Sequence, residues 1–198
     1  MSEHPDATQC TGAILVGGRA RRLGGVAKGL IGINGDTPIG RQVKLLRPRC
    51  HELFLVGHAH QDYAALNIPV VPDMIHGRGS PGGVHAALHH SPTPWVMVLA
   101  CDMPNLTAPL LDTLLEKKGG ADVIMYRSGE RVQPLVSIWH QRSKPLIAAR
   151  LRARGCGFKS LLECLHVELI DHPCPSAFAN LNTPADVAWY RKRSGTSI

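Results

Sequence analysis

No apolar run in this 198-residue chain reaches the roughly 18 residues that a membrane-spanning helix needs. The first residues, Met1 to Gln9, are polar and lack a basic stretch followed by an apolar core, which argues against a secretory leader. None of the six cysteines (Cys10, Cys50, Cys101, Cys156, Cys164 and Cys174) falls in a CxxC pair. A chain of this length builds a core without disulfide staples, so reduced thiols and a cytoplasmic location are expected. Histidines number 11, yet the single HxH pair, His58/His60, and the adjacent His89/His90 lack the spacing of a zinc signature. Internal repeats, low-complexity tracts and linker-like shifts in composition are also missing, and the expectation is one domain over residues 1–198. Acidic residues are the minority: Asp plus Glu total 15 against 22 Lys plus Arg, a formal charge of +7. That balance suits phosphate-bearing partners (a nucleotide, a nucleic acid or an anionic membrane) without choosing among them.

What the chain does have is short apolar runs with the length and β-branched content of buried strands: 13–16, 53–56, 69–71, 95–100, 123–126, 135–139 and 167–170. Helical stretches lie between many of them: 39–46, 83–89, 108–117 after Thr107 as N-cap, 145–152, 159–164, and 184–190 after Thr183 as N-cap with Pro184 at the first helical position. Strands alternating with helices predict an α/β fold with a mainly parallel sheet. Ligands of such sheets bind at the carboxyl ends of strands. Three loops stand there, after Val16, Val71 and Ala100.

The first loop reads LVGGRARRLGGVAKGL, from Leu15 to Leu30. Its glycines permit close backbone approach and positive φ, and Arg22 and Lys28 add full positive charge for phosphate. It is not a Walker loop, because Gly follows the lysine, and GxGxxG is absent. A flexible basic loop or a nucleic-acid arm fits the same composition. In Leu99–Pro104 a lone carboxylate, Asp102, ends the most apolar strand, placed to hold Mg²⁺ against substrate phosphates or simply to lead a turn into a helix. In Asn180–Asp186, Thr183, Pro184 and Asp186 make a good helix start. Asn180 and Asn182, two residues apart, point to one side of an extended segment. Asp73 follows the third strand, the glycine-rich turn before the second helix offers a helix N-terminus as an anion site, and Gln133 opens a strand.

Taken in order, LVGGRARRLGGVAKGL, GSPGGV, CDMP, QPLVSIW and NLNTPADV resemble the motifs of the molybdenum cofactor guanylyltransferase family, over about residues 12 to 190. The family is one of the nucleotidyltransferases with the Rossmann-like three-layer α/β/α fold of glycosyltransferase-A type. The resemblance implies a Mg²⁺-dependent enzyme that moves GMP from GTP to molybdopterin. It implies that Leu15, Val16, Gly17 and Gly18 hold the guanine nucleotide, that Arg22 and Lys28 neutralise its phosphates, and that Asp73 contacts it. Asp102 would bind both metal and nucleotide. Gln133, Asn180 and Asn182 would lie on the pterin side. Molybdoenzymes or proteins that deliver the cofactor are the implied partners, not nucleic acid or membrane. The chain departs from the family pattern at Val16, where the family has Ala, at Ala27, where it often has Asp, at Gly79-Ser80-Pro81-Gly82-Gly83, where it has Gly-Pro-Leu-Ala/Gly-Gly, and at Val56-Gly57-His58, where an Asn often meets the nucleotide. Cytidylyl transfer, a phosphorylated acceptor of another kind, and a non-catalytic nucleotide- or pterin-binding protein are the rival readings.

Overall fold

The computed structural model describes residues 9–17, 22–23, 26–57, 63–153 and 157–193. Among the described residues nine strands run in chain order: β1 (Cys10–Leu15), β2 (Arg22–Leu23), β3 (Val26–Ala27), β4 (Glu52–Val56), β5 (Val70–Val71), β6 (Trp95–Ala100), β7 (Val123–Ser128), β8 (Arg131–His140) and β9 (Val167–Asp171). Seven of them form one sheet in the order β5-β4-β1-β6-β8-β7-β9, while β2 and β3 form a separate two-stranded hairpin. The pairs β5–β4, β4–β1, β1–β6 and β9–β7 are parallel. The sheet is mainly parallel, as the alternation of strands and helices predicts. Strand β8 departs from that, running antiparallel to both β6 and β7. Its direction follows from its connection. Only Gly129 and Glu130 separate β7 from β8, and Gly129 takes the positive φ (57°) of a tight hairpin turn.

Six helices complete the described fold: α1 (Pro38–Leu46), α2 (Gly79–His90), α3 (Ala108–Glu116), α4 (Lys144–Arg152), α5 (Phe158–Leu162) and α6 (Pro184–Arg193). Helix α2 begins at Gly79, earlier than the expected start at residue 83. The Gly-Ser-Pro-Gly-Gly run reads as a turn in sequence, but Pro81 falls in the first helical turn, where no N–H is needed. Thr107 occupies the N-cap position of α3 without its side chain accepting a bond. The hydroxyl of Thr37 does cap α1, accepting from the Gly40 N–H at 3.1 Å.

Strands buried on both faces send alternate side chains to two cores. From β6, Trp95, Met97 and Leu99 join Ile39, Val43 and Leu46 of α1 and Leu111 and Leu114 of α3. Val96 and Val98 join Val84 and Leu88 of α2, Ile147 of α4 and Leu161 of α5. These two cores place helices on both faces of the sheet. A third, smaller core packs Val187 and Tyr190 of α6 against Ile31, Ile33 and Leu181. It holds the carboxyl-terminal segment over the edge where β1, β4 and β6 end. Among the described residues, no helix is long and apolar enough to cross a membrane.

Candidate active site at the carboxyl ends of β1 and β6

Strands β1 and β6 lie side by side and finish together, Leu15 opposite Ala100. Beyond them the chain stays tied: the Cys101 N–H donates to the Leu15 carbonyl at 3.2 Å and the Val16 N–H to the Val56 carbonyl at 3.0 Å. Gly57 allows the ends of β1 and β4 to close up, since a Cβ there would come within 3.1 Å of the Gly17 nitrogen. Above these ends opens a cavity of about 250 Å³. Leu15, Val16, Gly17, Lys28, Asp102, Asn180 and Asn182 line it, joined by Ser80, Ala100, Cys101 and Leu135. Carboxyl ends of parallel strands are the usual ligand face of an open α/β sheet.

Lys28 reaches this wall from the turn after the β2–β3 hairpin, where Arg22 pairs with Ala27 and Leu23 with Val26. Although it is a lysine, it is 8% exposed. Its ammonium donates to Asn182 Oδ1 at 2.7 Å. The turn sits directly on the Asp102 loop, because a Cβ on Gly29 would lie 3.2 Å from Cys101 Cβ. A buried ammonium needs such a partner, and an anion is the stronger one.

Asp102 follows β6 by two residues. Burial pushes its carboxyl above the ordinary carboxylate range, and the Lys28 charge offsets only part of that. Burial and the neighbouring Asp102 charge likewise push the Cys101 thiol up to about 12, which makes it a packing group rather than a nucleophile. The Asp102 carbonyl accepts from the Leu181 N–H at 2.8 Å, so the carboxyl-terminal loop is tied to the Asp102 turn. Leu181 is fully buried. In an extended segment its neighbours then point the other way, and both Asn180 and Asn182 line the cavity. The Oδ1 of Asn180 is buried without a hydrogen-bond partner.

Two of the expected residues do not join the wall. Asp73 follows β5, two strands away from β1, and is not among the lining residues. Gln133 lies within β8 opposite Tyr126. Pro134 has no N–H for the β7 ladder, and the register jumps from Met125↔Ser137 to Tyr126↔Gln133. Leu135, inside the resulting bulge, lines the cavity in its place. Gly17 shows no positive φ. Gly18, His58 and the Arg22 side chain lie outside what the structure describes. The sequence reading missed Ser80 and Leu135 as lining residues. Ser80 was signalled by the helix start expected beside the cavity, and Leu135 by nothing local.

Oxygen donors dominate the polar wall: the Asp102 carboxylate, the partnerless Asn180 Oδ1 and the Ser80 hydroxyl. That set suits a small hard divalent cation more than a soft metal. Among the described residues no three His, Cys, Asp or Glu side chains converge. A cation here would therefore complete its coordination with substrate oxygens and water, as cations held between one or two carboxylates and phosphates do.

Residues 12–171 match the family model described as "MobA-like NTP transferase domain". Among curated relatives, the molybdenum cofactor guanylyltransferase of Vibrio cholerae is 36% identical, covering 89% of this chain and 89% of its own length. A probable molybdenum cofactor guanylyltransferase of Pelotomaculum thermopropionicum is 32% identical over 90% of each. Among solved structures, molybdopterin-guanine dinucleotide biosynthesis protein A of Archaeoglobus fulgidus superposes with a TM-score of 0.77 at 23% identity, covering 94% of this chain and 100% of that one. A CMP:2-keto-3-deoxy-manno-octonic acid synthetase superposes with a TM-score of 0.73 at 12% identity, covering 96% of this chain, so that likeness concerns the fold alone.

Proposed function

The chain belongs to the MobA-like NTP transferase family, and on that premise we propose that it transfers GMP from GTP to molybdopterin and releases pyrophosphate. The observation that carries this reading is the meeting of Lys28 and Asp102 in one cavity at the ends of β1 and β6, with the asparagine pair beside them. A cation, a carboxylate and two amides around a strand-end cavity are what a triphosphate and a second polar substrate require.

In this reaction the terminal phosphate oxygen of molybdopterin forms a bond to the α-phosphorus of GTP. The bond from that phosphorus to the bridging oxygen breaks, and pyrophosphate leaves with its electron pair. The nucleophile is already an anion, so no general base is needed. The protein's work is positioning and charge stabilisation. Lys28, whose ammonium donates to Asn182 Oδ1, offers its charge to the phosphates. The half-buried Asp102 carboxylate, favouring a positive neighbour, would hold Mg²⁺. At that carboxylate the ion would supply Lewis-acid stabilisation of the phosphate oxygens. Leu15, Val16 and Gly17 present backbone to the nucleotide, and Gly18 and the charge of Arg22 serve the same substrate. Asn180 and Asn182 face the pterin substrate. Asp73 and Gln133 act from outside the 250 Å³ cavity, on the parts of each substrate that extend beyond it. The whole chain acts as one domain, in the cytoplasm, where GTP is present.

Pyrophosphate release with molybdopterin and Mg²⁺, measured with GTP, CTP, ATP and UTP in parallel, tests the reading. Release with GTP alone is the expected result. Release with CTP alone would move the protein to cytidylyl transfer. No release with any of the four, using molybdopterin proven active with another enzyme, would overturn it.

A further inference from the structure

We propose that Gln42 is a positioning residue for Asp102: its side-chain amide clamps both ends of the turn from Ala100 to Met103 and so fixes the carboxylate against Lys28. This rests on the nucleotidyl-transfer reading above and deepens it. Gln42 lies in α1 and is fully buried. Its Nε2 donates to the carbonyls of both Ala100 and Met103, the latter at 3.4 Å. These two carbonyls bracket Cys101 and Asp102, so one amide sets the span of the turn. Its Oε1 is buried with no hydrogen-bond partner. A half-satisfied buried amide is a poor choice for packing alone, where an apolar side chain of the same size avoids the desolvation.

The same helix touches the other half of the site. Ile39, one turn earlier on the same face of α1, would meet a Cβ on Gly29 at 3.4 Å. Gly29 is the neighbour of Lys28. Helix α1 thus carries the Lys28 turn on Ile39 and the Asp102 turn on Gln42, and it sets their separation. Both residues inside the Asp102 turn, Cys101 and Asp102, line the cavity.

The test compares wild type with Gln42→Met, which keeps the length and removes the donors, and Gln42→His, which keeps one ring N–H donor. Two readouts are needed. Kinetics should show kcat about tenfold lower in Gln42→Met, with the KM for GTP within twofold, and most of the loss recovered in Gln42→His. Amide hydrogen exchange should show the Cys101 and Asp102 N–H groups exchanging about tenfold faster in Gln42→Met, with the β1 amides unchanged, and near the wild-type rate in Gln42→His. A wild-type kcat in Gln42→Met, or equal loss in both variants, overturns the proposal. So does unchanged exchange at Cys101 and Asp102 in Gln42→Met. Should Gln42→Met not fold, Gln42→His decides: wild-type protection of these two amides supports the clamp and lost protection overturns it. If wild type releases no pyrophosphate, the nucleotidyl reading fails, while the exchange rates still decide the clamp.

Discussion

Two aspartates stand on the two loops that meet at the cavity, and their surroundings are opposite. Asp186 begins α6. Its Oδ2 accepts from the Asn182 N–H at 2.8 Å and the Thr183 N–H at 2.7 Å, and Thr183 Oγ1 accepts in return from the Asp186 N–H at 3.2 Å. Those backbone donors hold its carboxyl below the usual carboxylate range. For Asp102 the balance is reversed: burial raises its carboxyl, and the Lys28 charge and a hydrogen bond from its own backbone N–H offset only part of that, the Lys28 ammonium itself donating to Asn182. One carboxylate stabilises the fold and the other strains it. A strained ionisable group in a cleft is where function is to be sought, whereas a satisfied cap is explained by the helix it starts.

Substitutions can sharpen that contrast. The largest losses are expected at the cavity itself. Lys28→Met should lower turnover by roughly 10²- to 10³-fold, measured as pyrophosphate release at saturating GTP, because a transition-state charge partner is removed. Asn180→Ala should act mainly on the acceptor side, raising the KM for molybdopterin about tenfold, the value of one polar contact, and by more than it raises the KM for GTP. Asp186→Ala should lower stability by about 0.5 kcal/mol, the low end for a cap because water screens it, and reduce turnover only a few-fold. Its pH dependence has a definite sign. The folded pKa is depressed, so the stabilising contribution is complete above about pH 4 and is lost as pH falls through the folded value. Denaturation of wild type and variant should therefore converge in acid. Smallest of all is Arg127→Ala, which breaks the exposed pair with Asp171 at 2.7 Å. Both its melting midpoint and its turnover should match wild type.

Local patterns made much of this architecture legible. Trp95–Ala100 is a strand with the expected bounds because six consecutive apolar residues with β-branched members suit a position covered on both faces. The asparagine pair shares one cavity because alternation in an extended chain is a two-residue rule visible in sequence. What stayed hidden depends on distant partners. The β2 and β3 strands are two residues each, too short to show a period. The direction of β8 is set by a turn and not by its own residues. Gln133 was legible as the opening of a strand, but the bulge beside Pro134, which brings Leu135 to the cavity, was not. Gln42 carried no signal at all, since the carbonyls it holds lie 58 and 61 residues away in the chain.

The contrast between the two aspartates is tested most directly by one variant, Asp102→Asn, followed by melting across pH and by pyrophosphate release. Because the folded Asp102 carboxyl is raised, the folded state binds more protons than the unfolded one from about pH 4 up to the folded value, and the stability lost across that window stays lost above it. The account predicts a variant that melts higher than wild type at neutral pH and alike below about pH 4, with turnover lower by on the order of 10³-fold. A variant that keeps its turnover, or that melts lower than wild type at neutral pH, would contradict it.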